Sequence, residues 1–297
     1  MIQYTIQVIT HKDVPTWVSI LEYNRATKFK YELPINLNVD FTNTHEILPY
    51  HIVSLACLIE EYYLLDVQIK FTLTENYAVQ YLRRIHFFSY WENGYKRKEY
   101  KPCDEGTSYR LWQIDREMFY SYINQAHQYF QRQFFKGRDF LPFNIALVEL
   151  FNNVIDHSES PVSGYVFTQF FPNKKQFIIS LCDFGLGIPG TVNNYLEANN
   201  RSLLTSLDAL EWAFIKGNTV ESKKNNGGLG LDTISSITKS VGGTLVVMSH
   251  FGHITHLPDG SVVKKELPKI FPGTQVVVTL NTSNLRHLID EEHNIFH

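Results

Sequence analysis

The chain has 297 residues, 44% of them apolar and 19% charged, enough apolar surface for buried cores and too much for a disordered protein. At roughly 100–200 residues per domain, that length predicts two domains. Lys and Arg number 27 against 30 Asp and Glu, a formal charge of -3, which disfavours a basic face and predicts no nucleic-acid partner.

The N-terminus, Met1 to Gln7, alternates like a strand and lacks the basic head and apolar core of a signal peptide. No segment reaches the ~18 consecutive apolar residues of a membrane span. Cys57, Cys103 and Cys182 are too few and too scattered for a disulfide framework or a four-cysteine metal site. The expectation is a cytoplasmic protein with no membrane partner. An apolar run near Ile35 to Val39 precedes a helical pattern from Pro49 to Leu65, alternating Val67, Ile69, Phe71 and Leu73, and a second helical pattern from Ala78 to Phe88. This predicts a small β-α-β-α domain over residues 1–91. The polar stretch 92–110, with Lys96, Arg97, Lys98, Lys101, Pro102 and Gly106, reads as a linker to a second domain at 111–297.

Leu111, Ile114, Met118, Tyr122, Ala126 and Phe130 recur at three- and four-residue steps, predicting an amphipathic helix from Leu111 onward. Helices are expected at Asn144 to His157, Leu203 to Ile215 and Gly230 to Val241. Strands are expected at Tyr165 to Phe171, Phe177 to Cys182, Thr244 to Met248 and Gln275 to Leu280. Strands adjacent in sequence favour an α+β sandwich over a doubly wound sheet. His250, His253 and His256 lack an accompanying carboxylate or cysteine cluster and are assigned to a β-hairpin loop rather than a metal site.

Three motifs in the second domain carry chemistry. Glu149, Asn153 and His157 are spaced by four, so a carboxylate, an amide and an imidazole share one helix face, suited to holding a hard cation and activating a water. Asp183-Phe184-Gly185-Leu186-Gly187-Ile188 follows an apolar strand, placing a carboxylate where a ligand's exocyclic amine could donate and glycines where backbone approaches closely. Asn226-Gly227-Gly228-Leu229-Gly230-Leu231 opens a helix, whose N-terminal N–H groups suit phosphate.

In this order the motifs resemble the GHKL ATPases, the nucleotide-binding family that includes DNA gyrase, MutL and the histidine kinases. The resemblance covers roughly Leu111 to Leu280 and implies a Bergerat-type α/β sandwich that binds ATP and Mg²⁺. It implies Glu149 as general base and Asn153 as Mg²⁺ ligand, with His157 beside them. Asp183, Gly185, Gly187 and Ile188 would form the adenine site, Gly228, Leu229 and Gly230 the phosphate site, and Thr274 of Gly273-Thr274 would lie near adenine. Asn226 and Val154 depart from the family pattern, at a usual glycine and a usual small residue. The stretch from Gly190 to Asn225 stands where the family places its ATP lid, and Lys216, Lys223 and Lys224 there could reach phosphates or be simply solvated.

Asn153 with His157 resembles the anti-sigma-factor kinase branch, and the first domain resembles a STAS domain, with Thr42 and Thr44 read as turn or capping residues. His127 reads as a helix-surface histidine without the acidic neighbour of a phosphoacceptor motif. The expected function is a regulatory ATPase or protein Ser/Thr kinase acting on a partner protein, with a homodimer among the expected assemblies. The alternatives are a non-catalytic ATP-gated interaction module, and a histidine-kinase-like subunit acting on a separate phosphoacceptor.

Overall fold

The computed structural model describes residues 3–10, 13–29, 32–97, 103–114, 117–157, 160, 162, 164–218 and 230–288, with the side chains of 156 and 157 left aside. The first element, β1 (Gln3–Gln7), pairs in parallel with β2 (Asn36–Asp40), which pairs in parallel with β3 (Gln68–Thr72). Parallel neighbours need crossovers, and the helices α1 (Val14–Tyr23) and α2 (Pro49–Tyr63) supply them. Local chemistry sets their starts. Asp13 caps α1 by accepting from the Thr16 amide at 3.1 Å, and Pro49 opens α2 where no backbone donor is needed. A third helix, α3 (Tyr77–Arg84), follows β3, capped by Asn76, which accepts from the Val79 amide at 2.8 Å.

Thr42 and Thr44 do lie in turn structure ahead of α2. The Thr42 amide donates to Asp40 Oδ1 at 2.9 Å, and the buried Thr44 hydroxyl donates to the Val8 carbonyl at 2.5 Å.

The second half is built on a five-stranded antiparallel sheet in the order β4-β5-β6-β8-β7. Its strands are β4 (Ser108–Gln113), β5 (Tyr165–Phe171), β6 (Gln176–Asp183), β7 (Thr244–His256) and β8 (Val262–Asn281). Between them lie α4 (Phe119–Gln133), α5 (Leu141–His157), α6 (Gly187–Ala198), α7 (Ser206–Phe214) and α8 (Leu231–Ser240). The chain is therefore α+β, with one parallel and one antiparallel sheet.

Period-two alternation divides the large sheet's faces. Val166, Phe177, Ile179, Leu181, Leu245, Val247, Val276 and Val278 point to one side and pack with residues of α4, α5 and α8. Tyr165, Phe167, Cys182 and Met248 point to the other, into a core shared with α1, α2 and the parallel sheet. Residues 1–91 and the large sheet thus have one continuous apolar core between them. Helix α2 lies in its middle, and of its fifteen residues only Tyr50 and Tyr63 are not buried. Each of Ile52, Leu55, Leu58 and Ile59 contributes about 1.5–3 kcal/mol by leaving water.

A buried carboxylate ties the layers together. Glu60 of α2 accepts from Trp91 Nε1 and Tyr165 Oη, both at 2.9 Å, and from Arg97 Nη1 at 2.7 Å. Within 92–110, residues 98–102 are outside the described set, Arg97 is held in this network, and Ser108 and Arg110 are buried in β4.

Two expectations are corrected. Leu111 to Gln113 belong to strand β4, and the amphipathic helix begins at Phe119. Leu111 and Ile114 are three residues apart, a step that mimics a helical one, but the two side chains enter different cores, Leu111 with α2 and the parallel sheet and Ile114 with α4 and α5. His250, His253 and His256 lie in β7, whose partner register runs to His256↔Val262, so the hairpin turn falls after them. Their polar character gave no strand pattern, and His250 itself sits at an irregularity with φ 49. Among the described residues, no helix is long and apolar enough to cross a membrane.

Candidate functional site

The densest cluster of motif residues forms where β6, β8 and β7 run side by side. Register places Asp183 opposite Thr274, and Thr274 opposite Ser249. Asp183 is buried, and its Oδ1 accepts from the Gly185 amide at 2.8 Å. The Thr274 amide also donates to this carboxyl. Burial, with no cationic partner among the described residues, outweighs both donors and pushes the Asp183 pKa up to about 7.

Two glycines are required by close approach. Gly187 has φ +68, and a Cβ there would meet Ser249 Oγ at 2.7 Å, His250 Nε2 at 2.9 Å and the Gly273 carbonyl at 3.0 Å. Gly273 has φ +98, and a Cβ there would lie 2.3 Å from the Asp183 carbonyl oxygen and 2.8 Å from the Gly185 nitrogen. Ser249 completes the cluster. Its hydroxyl donates to the Gly273 carbonyl at 2.6 Å, accepts from the Ile188 amide at 3.0 Å and lies 3.1 Å from Thr274 Oγ1. Asp183, Gly185, Gly187, Ile188 and Thr274 are thus joined by hydrogen bonds and close backbone contacts.

Helix α5 presents the second group. Glu149 is buried, and its pKa is raised by desolvation first and by the negative charge of Asp232 second. Asn153, one turn on, is half-buried. His157 ends the helix, its side chain lying outside the described residues. Val154 packs into the core under the large sheet. Helix α5 packs against α6 and α8, the elements that start at Gly187 and just after Gly230.

Gly230 caps α8, its carbonyl accepting from the amides of Thr233 and Ile234 at 3.0 and 3.2 Å. Gly228 and Leu229 lie outside the described residues, as do Asn226, Lys223 and Lys224. Of the stretch from Gly190 to Asn225, the described part contains α6 and α7, which pack through Val192, Leu196 and Ala209. Lys216 follows α7 and is exposed.

Sequence reasoning missed Ser249 and His250. Neither stands in a motif, and only the β6-β8-β7 order brings them to Asp183. His250 packs on Gly187 and hydrogen-bonds the backbone at Leu186, while burial lowers its pKa. Farther along β7, His256 Nδ1 lies 2.7 Å from Ser235 Oγ. Among the described residues, no three His, Cys, Asp or Glu side chains gather to hold a metal. His127 is half-buried on α4 against Phe140.

The Asp183 environment has a measurable consequence. The folded chain keeps this carboxyl protonated to about pH 7, whereas the unfolded chain releases the proton in the ordinary carboxylate range. The folded state therefore binds more protons between those limits, and this group's contribution to stability falls as pH rises through them. Urea midpoints of wild type and Asp183→Asn, compared from pH 4 to 8, are expected to converge or cross as wild type loses this contribution. Parallel curves would contradict the assignment.

Compared with known proteins, the chain matches no protein-family model and no curated sequence.

Proposed function

We propose that the protein is an ATP-binding regulatory ATPase or protein kinase of the GHKL type, with a Bergerat-like nucleotide site in the second half of the chain. One observation supports this most: the buried Asp183 carboxyl is fastened by the Gly185 and Thr274 amides, beside a Gly187 turn with no room for a side chain. That is the arrangement the Asp-x-Gly-x-Gly and Gly-Thr motifs would need to receive an adenine amino group. The donor set on α5 fits the second requirement, because an amide oxygen and a carboxylate one turn apart suit a hard cation and a nearby nucleophile.

MgATP, when bound, supplies the phosphoryl group and a divalent charge that offsets its negative oxygens. The chain's own residues then have distinct tasks. Asp183 accepts from the base and selects it. Asn153 holds Mg²⁺ through its amide oxygen. Glu149, its pKa raised by burial and Asp232, is tuned toward taking a proton from water or a substrate hydroxyl. The Gly230 end of α8 offers backbone N–H groups toward phosphate. The target of such chemistry would be a regulatory protein partner, and a homodimer is one assembly that could present it.

Calorimetric ATP binding and γ-phosphate release test this reading. Glu149→Gln is expected to keep ATP affinity and to lose turnover by about 10²–10⁴-fold, while Asn153→Ala loses the Mg²⁺-dependent part of binding. Wild-type binding without turnover, even with candidate partners, would leave an ATP-gated interaction module. Absence of binding would remove the nucleotide reading.

A further inference from the structure

The N-terminal half reaches the back of the candidate site at three points, each one residue from a residue that forms it. Gln275, next to Thr274, donates through Nε2 to the Tyr50 carbonyl of α2 at 2.7 Å. The carbonyl of Cys182, next to Asp183, accepts from Cys57 Sγ of α2 at 3.3 Å. Phe184, on the other side of Asp183, lies under the Arg25 guanidinium, whose Cζ is 4.7 Å from the ring centroid.

The third contact is the most constrained. Glu61 of α2 takes Arg25 in a fork, Nε lying 2.8 and 2.9 Å from its two oxygens and Nη2 2.6 Å from Oε1. The Ala26 amide donates to the same carboxylate at 2.8 Å. The fork fixes the plane of the guanidinium, and the plane fixes what rests on Phe184. Phe184 is 3% exposed and has Phe271 of β8 edge-on at 6.4 Å on another side. Its backbone joins Asp183 to Gly185, the residue whose amide holds the carboxyl. A ring packed between Arg25 and Phe271 restrains the turn that carries that amide.

We propose that Arg25 is a positioning residue for the Asp183–Gly187 turn, through which the N-terminal half sets the affinity of the site for the adenine base. The inference rests on the nucleotide reading above for what is bound, and on the Glu61–Arg25–Phe184 stack for how the turn is held. Arg25 acts on the turn through Phe184, whose ring its guanidinium covers. A displacement of α2 that opens the Glu61 fork would therefore loosen base recognition without touching Glu149.

The test uses the full chain as wild type, Arg25→Lys and Arg25→Ala. Amide hydrogen exchange over residues 183–190 is read beside calorimetric affinities for ATP and for adenosine. Both variants are expected to speed exchange at the Gly185 and Ile188 amides by roughly tenfold and to leave the amides of α5 unchanged, since a cation over a buried ring and a charge-assisted fork are lost or weakened together. ATP and adenosine should weaken by the same factor, because the defect lies at the base and not at the phosphates. A uniform loss of protection across the chain would mean a merely structural role and overturn the proposal. So would unchanged exchange at 185 and 188 in Arg25→Lys, which carries the test if Arg25→Ala fails to fold. A loosened turn with unchanged nucleotide affinity would also overturn the coupling. If wild type binds neither ATP nor adenosine, the nucleotide reading fails by itself, and the base-affinity part of this proposal falls with it. The exchange rates at 185 and 188 then decide separately whether Arg25 holds the turn.

Discussion

Asp183→Asn is expected to weaken ATP binding by roughly 10- to 100-fold, the cost of losing a charge-assisted hydrogen bond in a buried site. The reason is the number of acceptors. The carboxyl takes the Gly185 and Thr274 amides and, on the nucleotide reading, an exocyclic amine as well. Asparagine offers one acceptor oxygen and two donor hydrogens. Whichever way the amide turns, a donor faces a donor: either the amine of the base or one of the two backbone N–H groups. Calorimetry with ATP and adenosine measures the effect, and equal affinities in variant and wild type would remove adenine recognition from this residue. The wild-type affinity should also rise with pH up to about 7, where the carboxyl ionises and accepts more strongly. The variant should lack that rise.

The second large effect is expected at Gly273. With φ +98 and the Asp183 carbonyl oxygen 2.3 Å from where a Cβ would stand, alanine there meets both a backbone penalty and a backbone obstacle. Strain in sparsely populated backbone regions costs about 1–3 kcal/mol, and displacing paired strands adds to it, so Gly273→Ala should lose about 3 kcal/mol or more. Gly94 provides the control. It has φ +81 but nothing within 4 Å of the added atom, so Gly94→Ala bears the backbone penalty alone. Thermal unfolding of the two variants should separate them by roughly 4–8 °C. Equal melting temperatures would mean that β8 and the Asp183 turn move apart without resistance.

Much of the local structure was legible because its cause was local. The i, i+4 spacing of Glu149 and Asn153 placed them one turn apart on α5, and the apolar run ending at Cys182 put Asp183 at the end of β6. Helix α2 also carried a clue to its environment: Ile52, Val53, Leu55, Ala56, Leu58 and Ile59 surround its axis, a pattern that fits burial on every side rather than one face on a sheet. What covers those sides was not legible, because docking on β5 and β6 depends on residues more than a hundred positions away. The same is true of Ser249, whose role exists only once β7 is registered on β8. Arg25 stands in no motif and drew no functional reading from the sequence. Its meaning comes from Glu61 and Phe184, which the fold alone brings to it.

The placement of α2 between two sheets also bears on how the protein is made. Residue 63 ends this helix and residue 176 begins β6, its partner on the second side. At about 5–20 residues per second, ribosomal synthesis separates them by roughly 6–23 s. During that interval β1, β2 and β3 could assemble on one side of α2, while the side meant for β5 and β6 stays open to water. A nascent chain in this state displays an oily helix face before its cover exists, and a chaperone that shields such surfaces would act at this stage of synthesis.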